Sequence, residues 1–594
     1  MFIKKIFAPR IVGVPPHDAD RNMMVLPDGE IRVYGNSCHP QTRSAEEVCP
    51  AVLKSRDNGM NWSMEPVTGL TPGATVRSPW SGTWLTVFCY AGIRHPKHRI
   101  DVADSILEQQ QDPGVYFFRS DSPDGEFEVK RILPEFHQIQ RQPIALEKYH
   151  RWLVPYQYRK GKGAYSWGVL LSDDDGEHWR RVEAAAPPLP GVLPGHGGLR
   201  WIHCGLEPVV AEYPDGRLHA LLRCANDEHY ESFSSDGGET WSDPVPSRFY
   251  AVATMPGLFR LSGGRMLVLW NNTVPLHEVD HLTQLGGNDP DIIEGVWEDV
   301  FTNRDALHAA ISHDGGKTWH GFREILLNPA RNDGDFRSVF FPMYDGLDKS
   351  VHQNQAIELP DGNILVSAGQ NTVCRRLLIF NPDWLLEECR MEDFMHGLQD
   401  VSIHQFVKSP AGGYRQSGVG HCSYNRRPGA ALMPHPDRED REVLLVGHHP
   451  DDRLVSDLEG VVWNFAASAA GRLTVRFRQC KGSAGCRFIL TDRWINPSDP
   501  MAEKYALFSA VLAGEGKIGS AAAAVDEWHD LVFDWDCRAN ICRVFCDGTA
   551  VAELPRLRHT PNDVSYLHIQ TAADGADPAG VMFESFRKTG TVQS

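Results

Sequence analysis

The sequence predicts an all-β chain in two parts, a six-bladed β-propeller over residues 1–395 followed by an antiparallel β-sandwich over residues 396–594. Three observations carry that prediction. A Ser-x-Asp-x-Gly-x-x-Trp motif recurs along the first part, a second turn motif recurs ahead of alternating strands, and the C-terminal third is strand-like in its alternation.

The first motif appears as Ser55 to Trp62, Ser172 to Trp179, Ser234 to Trp241 and Ser312 to Trp319. A decayed copy at Ser120 to Phe127 has Phe in place of Trp. Each copy follows a strand-like stretch such as Leu307 to Ser312, so it sits at a hairpin turn. Its chemistry is structural. The Asp carboxylate accepts backbone N–H groups within the turn, Gly supplies a conformation other residues avoid, and Trp covers the sheet below.

The second motif appears at Pro27-Asp-Gly29, Pro214-Asp-Gly216, Ser262-Gly-Gly264 and Pro360-Asp-Gly362, each followed by alternating apolar residues. These read as hairpins one strand earlier in each repeat. Five boxed repeats plus an unboxed one around residues 350–380 make six blades with loops of varying length. The segment Trp384 to Leu398 has helical apolar spacing behind Asn381-Pro-Asp383, which predicts a helix leaving the propeller. Beyond it, Arg472 to Arg478, Trp528 to Trp535 and Arg543 to Ala552 alternate as strands, with a hairpin at Asp547-Gly548.

Bulk properties narrow the function classes. At 594 residues the chain exceeds one ordinary hydrophobic core. With 59 Lys and Arg against 77 Asp and Glu, the net charge of −18 argues against nucleic acid as a partner. An anion-binding role must therefore come from a local arginine cluster. The apolar N-terminal stretch is cut by Pro9 and Arg10 before reaching signal-peptide length, and no apolar run is long enough to cross a bilayer. The 13 scattered cysteines suit reduced thiols, so the expected location is cytoplasmic. Cys480/Cys486 and Cys537/Cys542/Cys546 are the closest groupings. They are read as buried strand thiols in preference to a disulfide or metal site, since neither spacing matches a zinc pair, and no cofactor is expected.

The repeated motif is similar to the Asp box of the sialidase superfamily, and the resemblance spans residues 1–385. The C-terminal region resembles a laminin-G or concanavalin-like sandwich. In the superfamily the boxes lie away from the active site, so they imply the fold and leave activity to be argued from other residues. The resemblance implies three arginines, each from its own repeat, gathered on a sugar carboxylate, which planar bidentate donors recognise well. Arg21 matches the first, eight residues before Gly29, with Asp20 beside it. Arg223 matches the second: Glu207 opens one strand and Arg223 closes the next, so the hairpin sets them side by side. A surface ion pair is the alternative. Arg304, eight residues before Ser312, matches the third, with a plain surface role as its alternative.

Two departures from the family pattern stand out. Where the family places a tyrosine nucleophile, counting back from Gly362, this chain has Gln353, flanked by His352; Tyr344 lies nine residues earlier. The loop expected to carry an acidic Asp, Asn36 to Val48, holds Glu46, Glu47 and His39 instead, either as proton donors or as a solvated loop. The expected activity is cleavage of a terminal acidic sugar by a sialidase-like glycosidase, with Glu207, His352, Tyr344, Glu46 and Glu47 as candidate catalytic groups. Arg21, Arg223, Arg304, Gln353 and Asp20 are the candidate substrate contacts. A uronate lyase using His352 or Tyr344, and a non-catalytic sugar-binding protein, are the alternatives. The expected partner is an acidic oligosaccharide or glycoside, with neither nucleic acid nor membrane, and self-association is possible through the long acidic connection around Trp297.

Overall fold

The computed structural model describes residues 7–17, 23–37, 50–67, 72–90, 112–135, 137–160, 164–188, 204–275, 303–333, 350–369, 374–410 and 424–590. It is all β: six four-stranded antiparallel sheets form the propeller, and further antiparallel sheets follow. Blade one runs Met23–Val25, Ile31–Asn36, Pro50–Ser55, Ser63–Pro66; blade three runs Ile144–Leu146, Arg151–Lys160, Ala164–Ser172, Arg180–Glu183. Blade four runs Cys204–Glu212, Leu218–Cys224, Glu228–Ser234, Val245–Tyr250. Blade six is the unboxed repeat, Gln355–Glu358, Ile364–Ala368 and Arg376–Phe380. Its fourth strand comes from the start of the chain: Arg10–Gly13 pairs antiparallel with Arg376–Phe380, covering what would otherwise be an open edge.

All five motif copies lie between the third and fourth strands of their blades. In each intact copy the Ser hydroxyl accepts the glycine N–H and the Asp carboxylate accepts a backbone N–H further round the turn. In the second copy these are Gly176 N to Ser172 Oγ at 2.8 Å and His178 N to Asp174 Oδ1 at 2.9 Å. The tryptophans reach the preceding blade. Trp179 packs on Phe117, Trp241 on Trp167 and Trp319 on Phe249, with ring centroids 5.7, 5.0 and 5.2 Å apart. The turn thus staples neighbouring blades as well as covering its own sheet. A Cβ on Gly176 would lie 2.4 Å from the Phe117 ring, so that staple requires glycine.

The decayed copy has another use. Asp124 accepts Arg32 of blade one bidentately, at 2.6 and 2.9 Å, and Glu30 accepts the same guanidinium at 2.7 Å. The second turn motif joins first and second strands, two strands ahead of the box where one was expected. In an antiparallel meander, turns one and three fall at the same end of the sheet, so both motifs mark one end of the propeller.

Compact packing divides the chain into one unit of residues 1–271, 309–319 and 339–384 and a second of 272–308, 320–338 and 385–594. The second unit contains two packed antiparallel sheets. One is ordered Ala431–Pro434, Glu442–His448, Asp577–Thr589, Ala470–Gln479, His529–Asp536, Ile541–Cys546, Thr549–Pro555; the other is centred on Gly460–Ser468, Val564–Thr571 and Gly485–Thr491. Phe488 of one sheet meets Phe533 and Phe583 of the other. Cys546 pairs with Thr549 across the Asp547-Gly548 turn, whose two residues have φ of 48° and 79°, the positive pair a tight hairpin needs. Cys486, Cys537, Cys542 and Cys546 are buried free thiols.

The helix expected over Trp384 to Leu398 does not form. Pro382–Leu386 is a single 3-10 turn closed on Asn381, and Arg390–Glu392 pairs with Asp577–Thr589 instead. A short helix gains little by itself in water, and the strand edge supplies the backbone partners.

Two predictions follow from this packing. Asp124→Ala should lower the unfolding free energy by about 1 kcal/mol, a modest figure because Asp124 is largely exposed; a urea midpoint identical to wild type would dismiss the clamp. Burial holds Glu324, which accepts the Tyr566 hydroxyl at 2.8 Å, up at about 7, and burial holds Glu392 up at about 7 as well. Both are raised acids, so their contribution is complete below the ordinary carboxylate range and is lost as pH rises through 7. Thermal melts should therefore show a pH slope between 5 and 8 that Glu324→Gln reduces.

Candidate active site

The end of the propeller opposite the boxes collects the starts of first strands, the ends of second strands and the starts of third strands. Glu207, Arg223 and His229 of blade four all lie there. In the pairing of Cys204–Glu212 with Leu218–Cys224, Leu206 opposes Arg223 and Val209 opposes Leu221, so Glu207 and Pro208 face a single residue across a bulge. Glu207 has φ of 45° although it precedes a proline, a backbone state that most residues avoid. The bulge turns its carboxylate onto Arg223, whose Nη1 donates to Glu207 Oε2 at 2.5 Å, with both side chains about nine-tenths buried. His229 is fully buried; desolvation, then the Arg223 charge, pushes it down to about 3, leaving the imidazole neutral beside the pair.

The strand holding Glu207 is anchored by blade three. The Glu207 N–H donates to Gln157 Oε1, and Gln157 Nε2 donates to Gln138 Oε1. Three residues further on, Arg141 donates to Asn354 O at 2.6 Å and to Pro256 O at 2.7 Å, joining blade three to the starts of blades six and five. Gln142, Gln355 and Met23 complete a ring among blades three, six and one. Gln355 Nε2 donates to Gln142 Oε1 at 3.2 Å, Gln142 Nε2 to Met23 O at 3.4 Å, and Met23 N–H to Gln355 Oε1 at 3.0 Å. Residues 138 and 142 are only four positions apart, so this ring and the Glu207 anchor both hang on the chain that enters blade three, within about 14 Å of each other along it.

Blade six brings the residues at the expected nucleophile position. Gln353 has φ of 58°, and its Oε1 is buried with no hydrogen-bond partner among the described residues. His352 is buried, its Nδ1 bonded to Ser350 Oγ and its carbonyl accepting Gly369 N–H at 2.7 Å. Arg375, buried at the start of the third strand, bonds His17 through Nη1. Arg141, Gln142, Gln157 and Arg375 escaped the sequence reading. The polar run Gln138-Ile-Gln-Arg-Gln142 directly before an inner strand was the available signal for the first two.

Arg304 falls in the second unit. There it is fully buried between Asn303, with φ of 55°, and Asp305, which accepts Arg426 Nη1 at 2.7 Å and Asn328 Nδ2 at 2.8 Å. Arg21, Asp20, His39, Glu46, Glu47, Trp297 and Tyr344 lie outside the described residues.

The blade count, the Asp boxes and the polar end opposite them define a six-bladed propeller with box turns at one end. In agreement, residues 101–336 match the family model described as a BNR repeat-like domain. A curated relative named anhydrosialidase, from Macrobdella decora, is 32% identical over 241 residues, 40% of this chain and 25% of that protein. The chain thus spans about a quarter of the length of the curated relative it matches. Among solved structures, Trypanosoma rangeli sialidase in complex with sialic acid is similar at 12% identity over 98% of this chain and 91% of that one, with a TM-score of 0.35. The NanB sialidase from Streptococcus pneumoniae is similar at 12% identity over 62% of this chain and 70% of that one, with a TM-score of 0.37.

The close approach of blade five to blade six gives a direct test of the ring. A Cβ on Gly257 would sit 2.2 Å from Asn354 Oδ1 and 2.6 Å from the Phe259 ring. Gly257→Ala should displace Asn354, lower the melting temperature and perturb the site, whereas Gly575→Ala, with open space at its Cβ and no positive φ, should leave both unchanged. Equal behaviour of the two variants in melting and ligand binding would refute the close packing of this corner.

Proposed function

We propose that the chain is a sialidase-like glycosidase acting on an acidic sugar, with Arg223 holding the sugar carboxylate and Glu207 serving the reacting end. The buried Glu207–Arg223 pair on a bulged strand carries this reading. Stored backbone strain at a buried charge is costly, and it is maintained where orientation of the side chain matters. The Macrobdella decora relative named anhydrosialidase supports a sialidase-type activity, and the arginine-rich polar end supports a carboxylate-bearing substrate.

Gln353 shapes the mechanism. An amide cannot be the nucleophile of a covalent glycosyl intermediate, so Glu207 or His352 is assigned the proton-accepting role, activating water in place of a tyrosine. Arg21 is assigned to carboxylate binding, and Glu46 or Glu47 to proton donation, on the sequence pattern alone. A lyase would need the same arginines but would leave an unsaturated product that absorbs in the ultraviolet.

The test is turnover by the purified chain on aryl sialosides and on uronate oligosaccharides. Reducing-end release without new ultraviolet absorbance is expected. Glu207→Gln should lower kcat by roughly a hundredfold or more. Arg223→Ala should weaken binding of acidic substrates by about 2–5 kcal/mol, since the substrate carboxylate would lose its cation and face Glu207 unshielded. An ultraviolet-absorbing product would replace hydrolysis by elimination. Wild-type turnover lost only in Tyr344→Phe would return the nucleophile to a tyrosine and overturn the role given to Gln353.

A further inference from the structure

The C-terminal sandwich carries a cluster of three different donor atoms that the glycosidase reading does not use. His529 opens the strand His529–Asp536, and Cys546 ends the neighbouring strand Ile541–Cys546. Leu531 is the residue opposite Cys546, and His529 lies two positions from Leu531, so His529 and Cys546 share the buried face of the sheet. Asp547 begins the hairpin turn directly after Cys546. The ligand atoms of His529, Cys546 and Asp547 all lie within 4.8 Å of one another. His529 and Cys546 are buried, while Asp547 is about half exposed, so the cluster opens to solvent on the carboxylate side.

The hydrogen bonds of His529 define what this cluster needs. Its Nε2 lies 2.9 Å from Ala524 O, and a carbonyl oxygen only accepts, so the ring proton sits on Nε2. A neutral imidazole then presents the lone pair of Nδ1 to Asp547 Oδ2, 2.6 Å away. A lone pair and a carboxylate oxygen do not approach so closely unaided. At this separation a proton lies between them, and a metal cation would replace that proton as the two atoms part to roughly 3.3 Å, the spacing of two tetrahedral ligands.

An imidazole whose second nitrogen is fixed by a backbone carbonyl is also the usual arrangement of a metal-binding histidine. The Cys546 sulfur supplies the third donor, and one nitrogen, one sulfur and one carboxylate oxygen with an open fourth position suit a borderline-soft cation that takes tetrahedral sites.

We propose that His529 Nδ1, Cys546 Sγ and Asp547 Oδ2 form a binding site for a divalent transition metal of the zinc class, completed by solvent. Binding breaks the Cys546 S–H bond and releases that proton to water, together with any proton bridging Nδ1 and Oδ2; no electron is transferred. Because binding releases these protons, affinity should rise with pH. Arg476 contacts Asp530 at 3.2 Å and is the neighbouring cation that works against the metal. The site lies within the sandwich and stands independently of the glycosidase reading.

The experiment is titration of the chelator-treated full chain with Co2+, read by the near-ultraviolet thiolate-to-cobalt charge-transfer band and the visible bands of tetrahedral cobalt, then displacement by Zn2+. One equivalent is expected, with tighter binding at higher pH. Cys546→Ser should abolish the thiolate band and weaken binding on the order of a hundredfold, and His529→Gln should weaken it similarly. Asp547→Asn, at an exposed turn that keeps its Oδ1 acceptor, guards against mistaking misfolding for lost affinity and should weaken binding at least about tenfold. Cys480→Ser should leave the titration unchanged. A wild-type chain with no thiolate band, or a band that survives Cys546→Ser, would overturn the site and leave His529 and Asp547 as an imidazolium–carboxylate ion pair.

Discussion

The polarity of the antiparallel blade is the constraint on which the rest of the propeller depends. Four strands in a meander put the first and third turns at one end and leave the other end to strand starts and finishes. The Asp boxes and the Pro-Asp-Gly turns occupy the first end because both need glycine, short reach and local side-chain acceptors. The chemistry-bearing residues are thereby confined to the second end, where no turn motif competes for the backbone. The pair Glu207 and Arg223 and the pair His352 and Gln353 are far from each other in sequence and share an end for that reason.

Holding six such blades in a ring is a separate problem, solved differently at the two ends. At the box end aromatic staples, Trp179, Trp241 and Trp319 each on a ring of the blade before, stand beside ion pairs such as Arg32 with Asp124. At the opposite end they are polar: Arg141 and the amides of Gln142, Asn354 and Gln355 tie strand starts to one another and to backbone carbonyls. A buried amide ring of this kind is stabilising only when its members are satisfied, because each orphaned group costs about 1–3 kcal/mol. It also adds no carboxylate that would compete with an anionic ligand for the arginines.

The fold was legible because its signals are local. Ser, Asp, Gly and Trp at fixed offsets bond within eight residues, so the motif announces its own turn, and even the decayed copy at Asp124 kept the blade count intact. The Glu207 and Arg223 pairing was legible for a related reason: a hairpin of known length sets its two ends side by side. The helix misread over Trp384 to Leu398 shows the limit, since apolar spacing there reported burial against a distant strand. Arg141 and Arg375 were invisible for the same cause. Their partners lie 115 or more residues away, at Pro256, Asn354 and His17, and no spacing rule links them.

Strain links the architecture to the proposed chemistry. Glu207 and Gln353 both occupy the left-handed region, at φ of 45° and 58°, on different blades of the same polar end. A conformation of this kind costs on the order of 1–3 kcal/mol for a residue other than glycine, and it persists only where the surroundings over-determine it. Here they do. Glu207 is fixed by Arg223 on its carboxylate and by Gln157 on its N–H, while Gln353 is bracketed by Gly369 bonded to the His352 carbonyl and Arg141 bonded to the Asn354 carbonyl. Relaxing either backbone would surrender a hydrogen bond within its own blade and one from blade three at once. The ring that closes the propeller therefore also holds these two side chains in their orientations, and a change in blade packing that reached Gln157 or Arg141 would reach the site through them.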